Sequence, residues 1–146
     1  MAHITLPENV KHLYRSTIKV RWGDMDALGH VNNTRFFQYF EDVRVGWLRA
    51  TVGESWQPDG AGPVVVHTAC QFKKPVVHPA TLHIDLYSAP PGRSSIETFY
   101  EVYREGDQEL SARGQASVVW IDLSTGKPTS LPETFHTAYE ASAASV

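Results

Sequence analysis

The chain is nearly without cysteine. Cys70 stands alone among 146 residues, so neither an internal disulfide nor a cysteine zinc site can be built from it. It falls in the apolar run VVVHTACQF, which suits a small buried hydrophobe better than a reactive thiol. Basic charge is not in excess either. The 13 Lys and Arg against 16 Asp and Glu give a net charge of −3, which removes the general electrostatic footprint of a nucleic-acid binder. No apolar run approaches the length of a membrane span, and the opening stretch MAHITLPENVKHLYR has no apolar signal core. No membrane partner is therefore expected, and a reducing cytoplasm is the expected location. The marks of several common chemistries are missing as well. There is no G-x-S-x-G string, hence no serine-hydrolase elbow. There is no H-E-x-x-H and no cysteine cluster, and the 7 histidines are scattered, so no metal site is expected. Neither G-x-G-x-x-G nor a P-loop occurs.

What is present is an ordinary globular composition, 42% hydrophobic and 20% charged. The length suits one domain, residues 1–146, with a real core. Residues 14–22 alternate: Tyr14, Ile18, Val20 and Trp22 fall on one face and Arg15, Thr17, Lys19 and Arg21 on the other, the pattern of a half-buried strand. After a Gly- and Pro-rich loop from Gly53, four more strands are predicted over residues 63–73, 81–88, 94–104 and 108–122. Pro75, Pro79, Pro90-Pro91-Gly92 and Glu105-Gly106-Asp107 separate them, the last as a hairpin turn. Ala112, Gly114 and Ala116 put small residues on one strand face, where a helix or second sheet could approach closely. A short helix is predicted near residues 133–143. One long helix and a run of antiparallel strands make an α+β pattern. One helix covers one face of such a sheet, so an oligomer is expected to cover the rest.

Residues 20–44, VRWGDMDALGHVNNTRFFQYFEDVR, carry most of the functional information. Asn32 or Asn33 suits a helix N-cap. Phe36, Phe40, Val43 and Trp47 then recur at helical spacing, with Phe37 and Leu48 widening the stripe; the helix should fade near Ala50 and stop at Gly53. Asp24 and Asp26 thus lie just ahead of a helix N-terminus, whose free N–H groups favour negative charge. A carboxylate beside such an anion site suits acyl transfer, in which a carbonyl oxygen becomes an oxyanion. The bland reading is a turn with two solvated aspartates.

The string RWGDMDALGHVNNTRFFQYFEDVR closely resembles the opening of hot-dog fold acyl-CoA thioesterases of the 4-hydroxybenzoyl-CoA thioesterase-like group. FKKP, PATL and GRSS further along fit the same family, so the likeness spans residues 14–122. The resemblance implies a hot-dog fold, one long central helix wrapped by a roughly five-stranded antiparallel sheet. It also implies hydrolysis of an acyl-CoA to a carboxylic acid and free coenzyme A, with no cofactor beyond the coenzyme A of the substrate. Asp26 matches the family's catalytic carboxylate, acting as nucleophile or general base. The backbone N–H of Asn33, or of a neighbour such as Val31, matches the oxyanion donor. Asp24 matches the less essential first aspartate, with a loop-ordering or surface role. His30 could bind the carbonyl, orient Asp26 or fix the turn; in some relatives a histidine acts from the position of Asn33. Glu41 reads as structural, paired with Arg44.

Lys73, Lys74 and Arg93 are candidates for the phosphates of coenzyme A, against the alternative of solvated charges. Phe37, Phe40, Trp47 and Trp56 are candidates for the acyl pocket, with plain core preferred for Phe36 and Phe40. His67 and Thr68 could reach a neighbouring subunit's site, because sites in this fold sit at dimer interfaces; a homotetramer built from dimers is the expected assembly. Two other readings stay open: a hydratase or dehydratase acting on a thioester through His30, and a non-catalytic acyl-CoA-binding module.

Overall fold

In the computed structural model, residues 3–53 and 60–142 are described. Strand β1 (Lys11–Lys19) leads through a loop into helix α1 (Asn33–Val52). Strands β2 (Ala61–Phe72), β3 (Thr81–Ser88), β4 (Ser95–Arg104) and β5 (Leu110–Asp122) follow, then helix α2 (Glu133–Ala141). The five strands form one antiparallel sheet in the order β1-β3-β4-β5-β2, and α1 packs on one face of it. This is the hot-dog arrangement.

Each local choice in α1 agrees with that packing. Asn32 caps it, accepting from the Thr34 N–H at 2.9 Å, and Gly53 ends it at a positive φ of 82°, donating its N–H to the Arg49 carbonyl. Between the caps, Phe36, Tyr39, Phe40, Val43, Trp47 and Leu48 are buried. Full burial of such side chains is worth about 1.5–3 kcal/mol each. Opposite them lie Leu82, Ile84 and Leu86 of β3, Tyr100 and Val102 of β4, and Ala112 and Ala116 of β5, all fully buried. The small residues of β5 serve the close approach predicted for them: a Cβ on Gly114 would sit 2.3 Å from the Phe40 ring. Phe40 itself stacks on Tyr100 at 4.6 Å. Phe36 and Phe40 are thus core, as preferred. Phe135 of α2 closes the far end between Trp47 and Trp120.

The other sheet face is polar. Asp85 meets Arg15 at 3.1 Å and His12 at 2.8 Å, and Glu101 meets Arg113 at 2.6 Å. Strand β2 is an edge and carries exposed Val64, Val65 and Val66. The predicted Glu105-Gly106-Asp107 hairpin turn is present, with Gly106 at φ 92° and the Asp107 N–H donating to the Arg104 carbonyl.

Three expectations need correction. β1 starts at Lys11 and stops at Lys19, because its ladder with β3 ends at Lys19 opposite Thr81. Val20 is buried, but Trp22 lies beyond the strand in a 3₁₀ turn and is 75% exposed. Arg44 does not pair with Glu41: its guanidinium donates to the Tyr100 hydroxyl at 3.1 Å, and Glu41 faces solvent. Trp56 lies outside the described residues.

Candidate active site

Past β1 the chain folds back on itself between Asp24 and Asn32. The 3₁₀ turn Trp22–Asp24 buries Asp24 to 3% exposure. Its carboxylate accepts from the Arg21 N–H at 3.0 Å and from the Tyr39 hydroxyl at 2.8 Å, with the Arg21 and Arg35 guanidiniums within 4 Å. Burial works to raise this carboxyl; the two hydrogen bonds and two cations outweigh it and hold the group below the usual carboxylate range. Burial and then the adjacent carboxylate push Tyr39 well above an ordinary phenol. Asp24 is therefore an internal anchor tying the loop to the second turn of α1. The surface role allowed for it is overturned, and loop ordering is what its contacts perform.

Its main chain does the same. The Asp24 carbonyl accepts from the Asn32 N–H, Met25 bridges Val31, and the Asp26 N–H donates to the His30 carbonyl. Gly29, at φ 79°, makes the tip and donates its N–H to the Asp26 carbonyl at 3.0 Å. Asp26 differs sharply from Asp24. It is exposed, and each carboxylate oxygen holds one donor: the Leu28 N–H on Oδ1 at 2.9 Å and the Asn32 side-chain amide on Oδ2 at 3.0 Å. A carboxylate has about four lone-pair sites, so each oxygen keeps one free.

Asp26 opens onto a cavity of about 340 Å³. Its near wall is Leu28, His30, Val31, Asn33 and Phe36; its far wall is Phe72, Lys73, Lys74, Pro75 and Val76, the exit of β2. The two walls are joined by the Val31 N–H, which donates to the Val76 carbonyl at 2.8 Å. That bond removes the Val31 N–H as an oxyanion donor, while Val31 remains a lining residue of the cavity. At the helix start, the Thr34 N–H is held by the Asn32 side chain and the Arg35 N–H by the Asn32 carbonyl. Among the described residues the Asn33 N–H has no hydrogen-bond partner, and Asn33 borders the cavity.

Lys73 and Lys74 are gathered here, but they differ. The Lys74 ammonium lies 3.5 Å from Asp107 and 3.7 Å from Glu109, whereas Lys73 is exposed. His30 fixes the turn through its carbonyl, not its ring, while its side chain stays on the exposed cavity rim. Arg93, His67 and Thr68 are not brought to Asp26 within the chain. The Arg93 carbonyl accepts the Leu131 N–H beside the Trp120 end of β5, whereas Phe72 pairs with Ala112; roughly eight residue steps of strand separate those ends by about 27 Å. Thr68 pairs with Ala116 and donates to the Gln115 carbonyl, and His67 pairs with Ser117. Phe37 is half-buried, and Trp47 belongs to the far-end cluster, not to this cavity. No group of three or more His, Cys, Asp or Glu side chains able to hold a metal occurs among the described residues. Cys70 is half-buried, and burial raises its thiol to about 12.

The side-chain amide of Asn32 and, in the far wall, Phe72, Pro75 and Val76 around the two expected lysines were missed by the sequence reading. The D-x-L spacing, in which a side chain accepts from the N–H two residues on, was a usable signal for the first half of the Asp26 clamp. The apolar part of the far wall had none, because it arrives through strand pairing.

A long helix wrapped by an antiparallel sheet, with a clamped carboxylate before the helix N-terminus, defines a hot-dog protein of the thioesterase type. The chain belongs to the thioesterase-like superfamily, whose family model matches residues 20–138. Its structure is similar to that of the PA2801 protein from Pseudomonas aeruginosa, with 38% identity, a TM-score of 0.82, and coverage of 88% of this chain and 98% of that one. It is also similar to a thioesterase from Thermus thermophilus solved with coenzyme A and zinc, with 27% identity, a TM-score of 0.74, and coverage of 92% and 96%. A 1,4-dihydroxy-2-naphthoyl-CoA thioesterase from Synechocystis, at 21% identity and a TM-score of 0.79 over 90% of this chain and 96% of that one, shares the fold.

Proposed function

We propose that the protein hydrolyses the thioester of an acyl-coenzyme A, with Asp26 as the reacting carboxylate and the Asn33 N–H as the oxyanion donor. One observation carries this reading: a carboxylate held on both oxygens stands on the same cavity as an unpartnered helix N-terminal N–H. Asp26 attacks the thioester carbonyl or takes a proton from an attacking water. Either way the carbonyl oxygen becomes an oxyanion, for which one such donor is worth about 2.7–4 kcal/mol of barrier. Collapse of the adduct breaks the C–S bond and releases coenzyme A thiolate, which takes up a proton. On the nucleophilic route, water then hydrolyses the acyl–Asp26 anhydride.

In this reading Lys73, and secondarily Lys74, on the cavity's far wall, meet the phosphates of the coenzyme. The relative solved with coenzyme A supports that ligand class. The exposed valines on the β2 edge support pairing of two copies, which would offer Arg93, His67 and Thr68 to a neighbouring site; a tetramer of such dimers is the assembly proposed.

The test is release of free coenzyme A thiol from acyl-CoAs of graded length and from benzoyl-type thioesters. Wild type should release thiol, and Asp26→Asn, nearly isosteric, should lose turnover while keeping fold and assembly. Binding of coenzyme A esters with no release on any substrate would replace hydrolysis by a binding module or a non-hydrolytic enzyme.

A further inference from the structure

Asn32 does two things with one side chain. Its Oδ1 accepts from the Thr34 N–H at 2.9 Å and the Thr34 hydroxyl at 2.6 Å, which is the helix cap. Those two donors fix the orientation of the amide, because only the oxygen can accept them. The nitrogen is therefore turned towards the loop, where it donates to Asp26 Oδ2 at 3.0 Å. Since the Leu28 N–H already holds Oδ1, this second bond removes the remaining rotation of the carboxylate plane. Asn32 also gives its own N–H to the Asp24 carbonyl, so the amide cannot drift relative to the loop.

We infer that Asn32 is a positioning residue, which locks the Asp26 carboxylate to the helix N-terminus carrying the Asn33 N–H. The inference rests on the catalytic reading of Asp26. Capping alone asks only for an acceptor, and Ser, Asp and Asn cap about equally well. An ionised Asp has no donor and Ser has one oxygen a single bond from Cβ, whereas the amide sets a separate donor beside its acceptor, far enough out to reach Asp26 while the oxygen caps. A single rigid group thus sets the distance between the attacking oxygen and the oxyanion donor, the kind of alignment on which acyl-transfer rates depend strongly.

The test separates the two roles of the side chain. Asn32→Ser keeps a cap but loses the amide N–H that reaches Asp26, its hydroxyl being one bond shorter. Its unfolding midpoint should stay near wild type while kcat falls roughly 10-fold, the worth of one charge-assisted hydrogen bond, with KM nearly unchanged. Asn32→Asp keeps the cap and adds a charge favoured at a helix N-terminus, but sets a second carboxylate against Asp26. Its fold should hold while the acid limb of kcat/KM moves to higher pH, as for two carboxylates sharing a site. His30, Lys73 and Lys74 face the same cavity in every variant, so the difference from wild type isolates the substitution. Wild-type kcat and an unshifted profile in both Asn32 variants, with Asp26→Asn inactive, overturn the inference alone. Full activity in Asp26→Asn overturns the catalytic reading and the inference with it.

Discussion

Gly114→Ala offers a test that reaches from the core to the site. The added Cβ would lie 2.3 Å from Cε2 and 2.5 Å from Cζ of Phe40, whereas carbon pairs settle at about 3.5–4.0 Å. Something must therefore move by about 1.2 Å to restore that spacing. The Phe40 ring has no free space, being fully buried, stacked on Tyr100 at 4.6 Å and edged by Phe37 at 6.2 Å. Tyr100 is pinned in turn by Thr98 and Arg44. The strain is thus shared between the ring and the axis of α1, and overpacking of this kind costs about 1–3 kcal/mol. Phe40 stands two turns into the helix whose first residue carries the Asn33 N–H, and Asp26 is fastened to the same helix start through Asn32. A lift of the helix therefore carries both groups and opens the gap to the opposite cavity wall at Phe72–Val76, and misplacement of a bound molecule by about 1 Å can cost roughly 100-fold in rate. Urea unfolding and thiol release should both show the change. Adding Phe40→Leu should recover part of the lost stability, making the double variant less destabilised than the sum of the singles. A destabilisation below about 0.5 kcal/mol together with wild-type kcat would refute the packing argument.

Two further outcomes follow from the buried anchor and the lysine pair. Asp24→Asn should cost about 2–3 kcal/mol at neutral pH, and Tyr39→Phe about 1–2 kcal/mol, since each breaks a hydrogen bond to a buried charge. Because the folded Asp24 carboxyl lies below its ordinary value of 3.8, the ion's stabilisation is fully present above that pH and is lost as pH falls through the folded value. The stability gap between wild type and Asp24→Asn, followed by denaturation from about pH 7 to pH 2, should close in that acid window; a constant gap contradicts the ionic account. Lys73→Ala should raise KM for acyl-CoA about 5-fold, more at low salt, and leave kcat alone. Lys74→Ala, whose ammonium already neighbours Asp107 and Glu109, should do less, and equal effects would argue against that ranking.

The parts of this molecule legible in the sequence are those set by local rules. The cap at Asn32 or Asn33, the stripe from Phe36 to Trp47 and the stop at Gly53 are periodicity and end chemistry, and the structure has all three, with Asn32 as the cap. The small face of β5 was legible because Ala112, Gly114 and Ala116 repeat at a period of two. Trp22 was misplaced because alternation continues past Lys19 although the β3 partner does not, and pairing is a property of two segments. Asp24 and Asp26 look alike in sequence and end in opposite environments. The difference is made by Tyr39, in the second turn of α1, which reaches back only once the helix is docked. The commitment of the Val31 N–H to Val76 is likewise long-range, and no local pattern announces it.

The loop from Asp24 to Asn32 is closed almost wholly by bonds among its own residues and the first turns of α1. The opposite cavity wall, from Phe72 to Val76, comes from a segment far along the chain and is tied to the loop by few bonds, chiefly Val31 to Val76 and Met25 to His78. Reacting groups and cavity shape are therefore separately inherited. Substitutions at Phe72 or Pro75 can remodel what the cavity admits without disturbing the Asp26 carboxylate, so under the proposed reaction the range of molecules accepted is free to drift while the clamped carboxylate stays put.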